Sequence, residues 1–89
     1  MDAPVNGPFS FDDLADVMKS AAGIAADPLD MAGRPDATFA DFGLDSLGLM
    51  AVAGEVEHHY GTPLGPDTER CETPHAFIAL VNSQLTSGV

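Results

Sequence analysis

Hydrophobic residues near the start of the chain recur at helical spacing. They stand three or four positions apart, and they are Phe11, Leu14, Met18 and Ala21. Spacing of this kind places side chains on one face of an α-helix. Ser10 is a favourable N-cap for that helix, and Gly23 is a fair stop. Asp12 and Asp13 would lie in the first turn, where the helix dipole favours anions.

A second helical stretch is predicted from Asp45 to Tyr60. Asp45 is a good N-cap, and Gly61 followed by Pro63 is a good stop. One face is expected to serve the core, and it consists of Leu49, Val52, Ala53, Val56 and Tyr60. Leu47 and Met50 fall well off the centre of that face. Apolar side chains are therefore expected on or near the solvent side of this helix.

A further helix is predicted near the end of the chain. Thr73 is its N-cap and Pro74 stands at its first position, where proline is tolerated. Its inner face would carry Phe77, Ile78, Val81 and Leu85. A short additional helix is expected between Pro66 and Cys71. These elements predict an all-α fold, a small antiparallel bundle of three main helices plus one short helix.

The segment from Gly23 to Asp45 shows no sustained hydrophobic period, and it contains prolines and glycines. We expect a long, packed loop between the first two main helices, with one short helical turn at Thr38 to Asp41. Five apolar side chains could hold the loop to the core, namely Ile24, Leu29, Phe39, Phe42 and Leu44. Residues 1–9 are expected to form a flexible tail, and residues 1–89 a single domain.

Charge limits the classes of partner. The 89 residues include 3 basic and 14 acidic side chains, a formal net charge of −11. Nucleic acid is excluded as a partner because Lys19, Arg34 and Arg70 are scattered, whereas phosphate backbones need clustered cations. Partners with basic patches would be attracted instead. We also expect a monomer.

No membrane or secretory segment is expected. The residues from Met1 to Asp13 lack the basic region and apolar run of a signal peptide. The apolar run from Ala76 to Val81 is far too short to span a bilayer. The single cysteine, Cys71, has no partner for an internal disulfide. We therefore expect a cytoplasmic protein with a reduced thiol.

Ser46 is the candidate for chemistry, because it would occupy the first position of the second main helix. Unpaired amides and the positive dipole end at that position suit a phosphate group. The alternative is an ordinary serine in a capping sequence. A hydrolase elbow would read Gly-x-Ser-x-Gly, but Leu44 stands at the first glycine position. His58 would lie about 18 Å along the same helix, so no catalytic residue and no metal site are predicted.

The residues around this serine resemble a known signature. Phe42-Gly43-Leu44-Asp45-Ser46-Leu47 followed by Gly48-Leu49-Met50 is similar to the Asp-Ser-Leu motif of acyl carrier proteins, especially those of type II aromatic polyketide synthases. The likeness extends to Thr38-Phe39-Ala40-Asp41, to residues 57–61 with Pro63, and to Thr73-Pro74 with Phe77, Leu80 and Asn82. It covers most of the chain after residue 37, and the first helix in outline.

The resemblance implies specific roles. Ser46 would carry a covalent 4'-phosphopantetheine arm, and Asp45 would help the modifying transferase to recognise the site. Leu47 and Met50 would form the apolar part of a docking face, and Glu57 would contact basic partner surfaces. The family often has Glu right after the position of Met50, where this chain has Ala51.

The resemblance also implies the partners. A phosphopantetheinyl transferase with Mg²⁺ would install the arm from coenzyme A. The loaded carrier, itself non-catalytic, would then serve a malonyl transferase, a ketosynthase with its chain-length factor, a ketoreductase and cyclases. Two alternatives remain open, namely a carrier of fatty-acid synthesis and an unmodified acidic helical adaptor. The strongly acidic surface argues against a third, a carrier module of peptide synthesis.

The two glycines of the second main helix have more than one explanation. Gly48 and Gly54 each weaken a helix by on the order of 1 kcal/mol relative to alanine. Close packing would explain them, and so would a helix soft enough to open a crevice for a tethered chain. His58, His59 and His75 are expected to be surface residues, since none has metal-ligand partners at useful spacing.

Overall fold

The computed structural model describes residues 9–61, 63–64, 68 and 70–87, with side chains described as far as residue 84. Within these residues it has four α-helices: α1 (Phe11–Ala22), α2 (Pro28–Gly33), α3 (Ser46–Tyr60) and α4 (Pro74–Ser87). One turn of 3₁₀ helix, Ala40–Phe42, lies between α2 and α3. The predicted all-α class and the three main helices are confirmed, whereas the short helix α2 was not predicted.

Helix α1 begins and ends where its sequence predicts. Ser10 Oγ accepts a hydrogen bond from Asp13 N at 3.2 Å, and Asp13 Oδ2 accepts one from Ser10 N at 3.1 Å. This reciprocal pair is a capping box. Gly23 ends the helix in the left-handed region with φ 71°, which a residue without Cβ adopts at no steric cost.

Helix α2 corrects the prediction of a continuous loop. Asp27 Oδ1 accepts a hydrogen bond from Leu29 N at 3.0 Å, and Pro28 occupies the first helical position. A proline there loses no helical hydrogen bond, so it starts this helix and does not interrupt it. Six residues are too few to produce a visible period. Met31 is the buried residue of α2, whereas Leu29, which was expected to hold the loop, is 81% exposed.

The segment between α2 and α3 is held to the bundle by backbone and apolar contacts. The predicted turn at Thr38 to Asp41 is present, with hydrogen bonds in both directions between those two residues. Phe39 N donates to Glu72 O at 2.8 Å, and the Phe39 ring meets that of Phe77 edge to face. Phe39 and Leu44 are buried as expected.

Helix α4 begins as predicted. Thr73 Oγ1 accepts a hydrogen bond from Ala76 N at 3.1 Å, and Pro74 is its first residue. Phe77 and Val81 are fully buried, and Ile78 is half-buried. The Leu85 side chain and half of the residues of the helix predicted at 66–71 lie outside the described residues.

The end of the predicted tail is part of the core. Phe9 is 2% exposed, and its ring lies edge to face against Tyr60 and Phe77, at 6.1 Å from each. Asn82 pairs with the Phe9 backbone through two hydrogen bonds. Burial of an aromatic ring stabilises a folded segment strongly. The expectation of a flexible tail was therefore wrong for residue 9. Residues 1–8 lie outside the described part of the chain.

His75 is also more than a surface residue. Its Nε2 lies 3.2 Å from Met31 O and 3.1 Å from Ala32 O, and its ring packs on Phe11 at 4.8 Å. Because both neighbours are carbonyl oxygens, Nε2 carries the proton and donates. The side chain therefore joins the start of α4 to the end of α2. His58 and His59 are exposed, as expected.

The core joins residues from all four helices and from the segments between them. It contains Phe9, Leu14, Ala15, Met18, Met31, Phe39, Leu44, Leu49, Val52, Ala53, Val56, Leu64, Phe77 and Val81. The face predicted for the helix from Asp45 to Tyr60 supplies four of these residues. Among the described residues, no helix is both long and apolar enough to cross a membrane.

Candidate functional site

Ser46 is exposed at the first position of α3, on a backbone that is firmly anchored. Asp45 is extended, with φ −93° and ψ −177°, and Gly43 turns the chain just before it with φ 90°. Leu44, between them, is 3% exposed. The serine hydroxyl is thus exposed to solvent, while Leu44, two residues before it in the chain, is buried in the core. Such a position exposes the serine to an external enzyme and joins it to a backbone that packs on the core through Leu44.

Asp45 organises the start of α3. Its Oδ1 accepts a hydrogen bond from Gly48 N at 2.8 Å, and its backbone oxygen accepts one from Leu49 N at 2.9 Å. The amides of Ser46 and Leu47 precede the first intrahelical hydrogen bond. They lie at the positive end of a 15-residue helix, which favours an anion next to the serine.

Gly48 allows α3 to start in contact with Leu44. A Cβ at position 48 would lie 2.6 Å from Leu44 Cδ1 and 3.2 Å from Asp45 Oδ1. The glycine therefore makes room for both the buried leucine and the capping carboxylate. A Cβ at Gly54 would meet nothing within 4 Å. Of the two explanations open from the sequence, close packing applies to Gly48 and not to Gly54.

Leu47 and Met50 lie on the exposed side of α3, as the helical pattern predicts. Their side chains are 73% and 50% exposed. Ala51 is exposed beside them. Two large apolar side chains next to an exposed serine form a small patch of the kind found at interaction sites.

Two grooves flank the serine, and the sequence predicts neither. The first, of about 320 Å³, is lined by Thr38, Phe39, Ala40, Leu44, Asp45, Ser46, Leu49, Cys71 and Glu72. The second, of about 350 Å³, is lined by Ala21, Ala22, Ile24, Gly43, Leu44, Asp45, Leu47, Gly48 and Ala51. Leu44 and Asp45 line both grooves. Cys71 and Glu72 line the same groove as the serine because the segment before α4 folds back towards the start of α3.

Glu57 has a structural partner. Its Oε2 accepts a hydrogen bond from Leu64 N at 2.7 Å, and the side chain is half-buried. It lies eleven residues beyond Ser46, roughly 16 Å along the helix axis. Glu57 thus holds the segment that follows α3, a role that its position in the sequence does not reveal.

The structure brings no histidine to the serine. His58 and His59 lie near the far end of α3, and His75 donates to the α2 carbonyls. A serine that acts as a resident nucleophile needs a base within hydrogen-bonding reach. Within the described part of the chain, no group of three or more His, Cys, Asp or Glu side chains could hold a metal ion. The arrangement suits a serine that another protein modifies.

Comparison with known proteins agrees with this geometry. The family model described as "Phosphopantetheine attachment site" matches residues 12–81. A probable acyl carrier protein of Streptomyces coelicolor is 45% identical over 78 residues, covering 88% of this chain and 87% of its own. The curamycin polyketide synthase acyl carrier protein of Streptomyces cyaneus is 47% identical over 77 residues, covering 86% and 87%.

Solved structures of acyl carrier proteins resemble this fold as well. The oxytetracycline acyl carrier protein superposes with a TM-score of 0.72 at 33% identity, covering 93% of this chain and 88% of its own. A second solved structure is the 3,5-dioxohexyl form (a triketide mimic) of the acyl carrier protein from the actinorhodin polyketide synthase of Streptomyces coelicolor. It superposes with a TM-score of 0.74 at 33% identity, covering 93% of this chain and 98% of its own. The matched region, the four helices and the serine at the start of α3 together have one explanation: the chain is a member of the phosphopantetheine attachment site family and, within it, of the acyl carrier proteins.

Proposed function

We propose that Ser46 is the residue to which the phosphopantetheine arm is attached. The observation that carries this assignment is the position of an exposed serine at the first residue of α3, beside a capping Asp45. The amides of Ser46 and Leu47 are suited to a phosphate bonded to the serine oxygen. An exposed hydroxyl also leaves room for a transferase and its coenzyme A.

The chain's own residues supply the attachment point and its surroundings. The attached group supplies a terminal thiol that holds acyl units as thioesters, and the chemistry on them belongs to the arm and to partner enzymes. Asp45 keeps the start of α3 in register through Gly48 N. Leu44 and Gly48 fix the helix start against the core. The carrier itself catalyses no step.

We further propose that the exposed side of α3 is the recognition face. Leu47 and Met50 would enter apolar pockets of partner enzymes, and Asp45 would pair with a cationic side chain of the transferase. Glu57 would add negative charge to the same helix while it holds Leu64 N. With a net charge of −11, electrostatic steering favours short encounters with basic surfaces over large buried interfaces.

The pathway we propose is that of a type II polyketide synthase. Similarity to the curamycin carrier at 47% identity and to the actinorhodin carrier at 37% supports it. The partners would be a phosphopantetheinyl transferase, a malonyl transferase, a ketosynthase with its chain-length factor, a ketoreductase and cyclases. We propose a monomeric, cytoplasmic carrier that docks transiently to many enzymes in turn.

Intact-mass measurement tests the attachment site. Purified protein is incubated with coenzyme A, Mg²⁺ and a broad-specificity transferase. Wild type is expected to gain the mass of one phosphopantetheine group, and Ser46→Ala to gain none. Ser20→Ala is the matched control, because Ser20 is also an exposed serine on a helix, and it should be modified like wild type.

The outcomes separate the alternatives. Modification of Ser46→Ala would move the attachment elsewhere, and an unmodified wild type would favour the helical adaptor. For the pathway, the loaded protein is offered to a polyketide ketosynthase and to a fatty-acid ketosynthase. Condensation by the second alone would contradict the polyketide assignment and leave Ser46 as the attachment site.

A further inference from the structure

A third groove lies between α1 and α3, near the C-terminal end of α3 and away from Ser46. Its volume is about 290 Å³. Phe9 and Val56 are buried beneath it, and Val17 and Tyr60 form half-buried walls. Tyr60 lies fourteen residues beyond Ser46, about 21 Å along the helix. The groove is therefore separate from the proposed attachment site and from the face formed by Leu47 and Met50.

Carboxylates from both helices line this groove. Asp13 and Asp16 come from α1 and Glu55 from α3, and all three are exposed. Ser20 and His59 complete the lining, so no lysine or arginine is among the described residues that form it. Burial raises the pKa of Tyr60, and the negative charge of Asp13 raises it further. The field of the Asp13 carboxylate thus reaches the aromatic wall.

Apolar walls with an acidic rim fit one kind of side chain well. Arginine carries a three-carbon stem that lies on apolar surface while its planar cation stays near water. The guanidinium also stacks on aromatic faces and pairs with carboxylates in a fork geometry. A bare metal ion would use none of the apolar wall, and no cluster of ligands suited to one is found among the described residues.

We propose that this groove is a second docking point, which receives an arginine side chain flanked by apolar residues on a partner protein. The stem lies against Val17 and Tyr60, and the guanidinium lies between Asp16 and Glu55. Asp13 contributes charge while its carboxylate holds Ser10 N. The groove is formed by the chain itself, so this docking does not depend on the prosthetic group.

An NMR titration of the unmodified, ¹⁵N-labelled protein tests the proposal. The probe is the acetylated, amidated tripeptide Leu-Arg-Leu, and its control replaces arginine with neutral citrulline. The arginine peptide should give saturable amide shifts at Asp16, Val17 and Tyr60, and none at Leu47. The citrulline peptide should bind roughly tenfold more weakly or not at all, since tenfold corresponds to 1.4 kcal/mol.

A pair of double variants with the same charge change isolates the groove. Asp16→Asn with Glu55→Gln should weaken binding of the arginine peptide about tenfold. Asp36→Asn with Glu72→Gln removes two exposed carboxylates that do not line the groove, and should bind within about twofold of wild type. The groove variants replace exposed side chains, and circular dichroism checks that the helices remain.

Three results would overturn the proposal. They are wild-type affinity in the groove variant, equal weakening in both double variants, and the absence of saturable binding by wild type. Raising the salt concentration on the wild-type protein should also weaken binding, a test that involves no substitution. None of these measurements uses the arm, so failure here leaves the assignment of Ser46 intact, and failure of arm loading leaves the groove intact.

Discussion

The side-chain amide of Asn82 on α4 forms two hydrogen bonds with the backbone of Phe9. Asn82 Oδ1 accepts from Phe9 N at 2.7 Å, and Asn82 Nδ2 donates to Phe9 O at 3.1 Å. Because both backbone groups of one residue are satisfied by one side chain, the segment before α1 is held in register against α4. The Phe9 ring is thereby placed between Tyr60 and Phe77.

Replacement of Asn82 should therefore destabilise the fold. Asn82→Leu keeps a side chain of similar size but leaves two part-buried backbone groups without these partners, at a cost of about 1–3 kcal/mol each. Asn82→Asp keeps an oxygen that accepts from Phe9 N, so the free energy of unfolding should fall by less than in Asn82→Leu. Urea unfolding followed by circular dichroism measures both. Equal stability of wild type and Asn82→Leu would show that the Phe9 segment contributes little.

The two glycines of α3 should respond oppositely to alanine. Gly54→Ala adds a methyl group in open space and should raise the free energy of unfolding by up to about 1 kcal/mol. Gly48→Ala would place a Cβ 2.6 Å from Leu44 Cδ1, so Leu44 must shift and stability should fall. Thermal unfolding of the two variants beside wild type measures this. Stabilisation by Gly48→Ala would mean that Leu44 adjusts freely.

Met50→Asp should impair partner use without unfolding the protein. Met50 is 50% exposed, so the core loses little, while a carboxylate would oppose entry into an apolar hollow. We expect kcat/KM for the partner acyl transferase to fall by about tenfold, which corresponds to 1.4 kcal/mol. Ala79→Asp, an exposed position on α4, adds the same charge elsewhere and should retain most activity. Undiminished transfer by Met50→Asp would exclude this residue from the docking face.

Stability should fall in alkaline solution through Tyr60. Burial and the charge of Asp13 raise its pKa above 10.0 in the folded protein. The neutral phenol is thus favoured in the folded state, and its contribution to stability is fully present below pH 10. The contribution is lost as the pH rises through the raised pKa, because the unfolded chain releases the proton first.

Tyr60→Phe should remove that part of the pH dependence. The unfolding free energies of wild type and variant are compared by urea titration between pH 8 and pH 11. Their difference is expected to be constant below pH 9.5 and to change in favour of the variant above it. A constant difference across the whole range would contradict the assignment to Tyr60.

Local patterns were sufficient for the helix ends and for the serine. Ser10, Gly23, Asp45 and Gly61 begin or end helices at the predicted positions, because capping depends on residues within a few positions of one another. Helix α2 was missed because a helix of six residues is too short to show a hydrophobic period, and because its Pro28 suggested a loop. The role of Phe9 was missed because its partners lie up to 73 positions away.

The sequence by itself determined the features that depend on residues close together in the chain. These are the three long helices, the place of Ser46 at the start of the second of them, and the acidic charge without clustered cations. Tertiary structure alone decided which distant segments meet. It places Cys71 and Glu72 in the lining of the groove that also contains Ser46, and it pairs Glu57 with Leu64. It also brings His75 to the end of α2 and forms the acidic groove between α1 and α3. The physical reason is range: caps and periodicity act over one or two turns, whereas a groove exists only after packed helices have excluded water from the core.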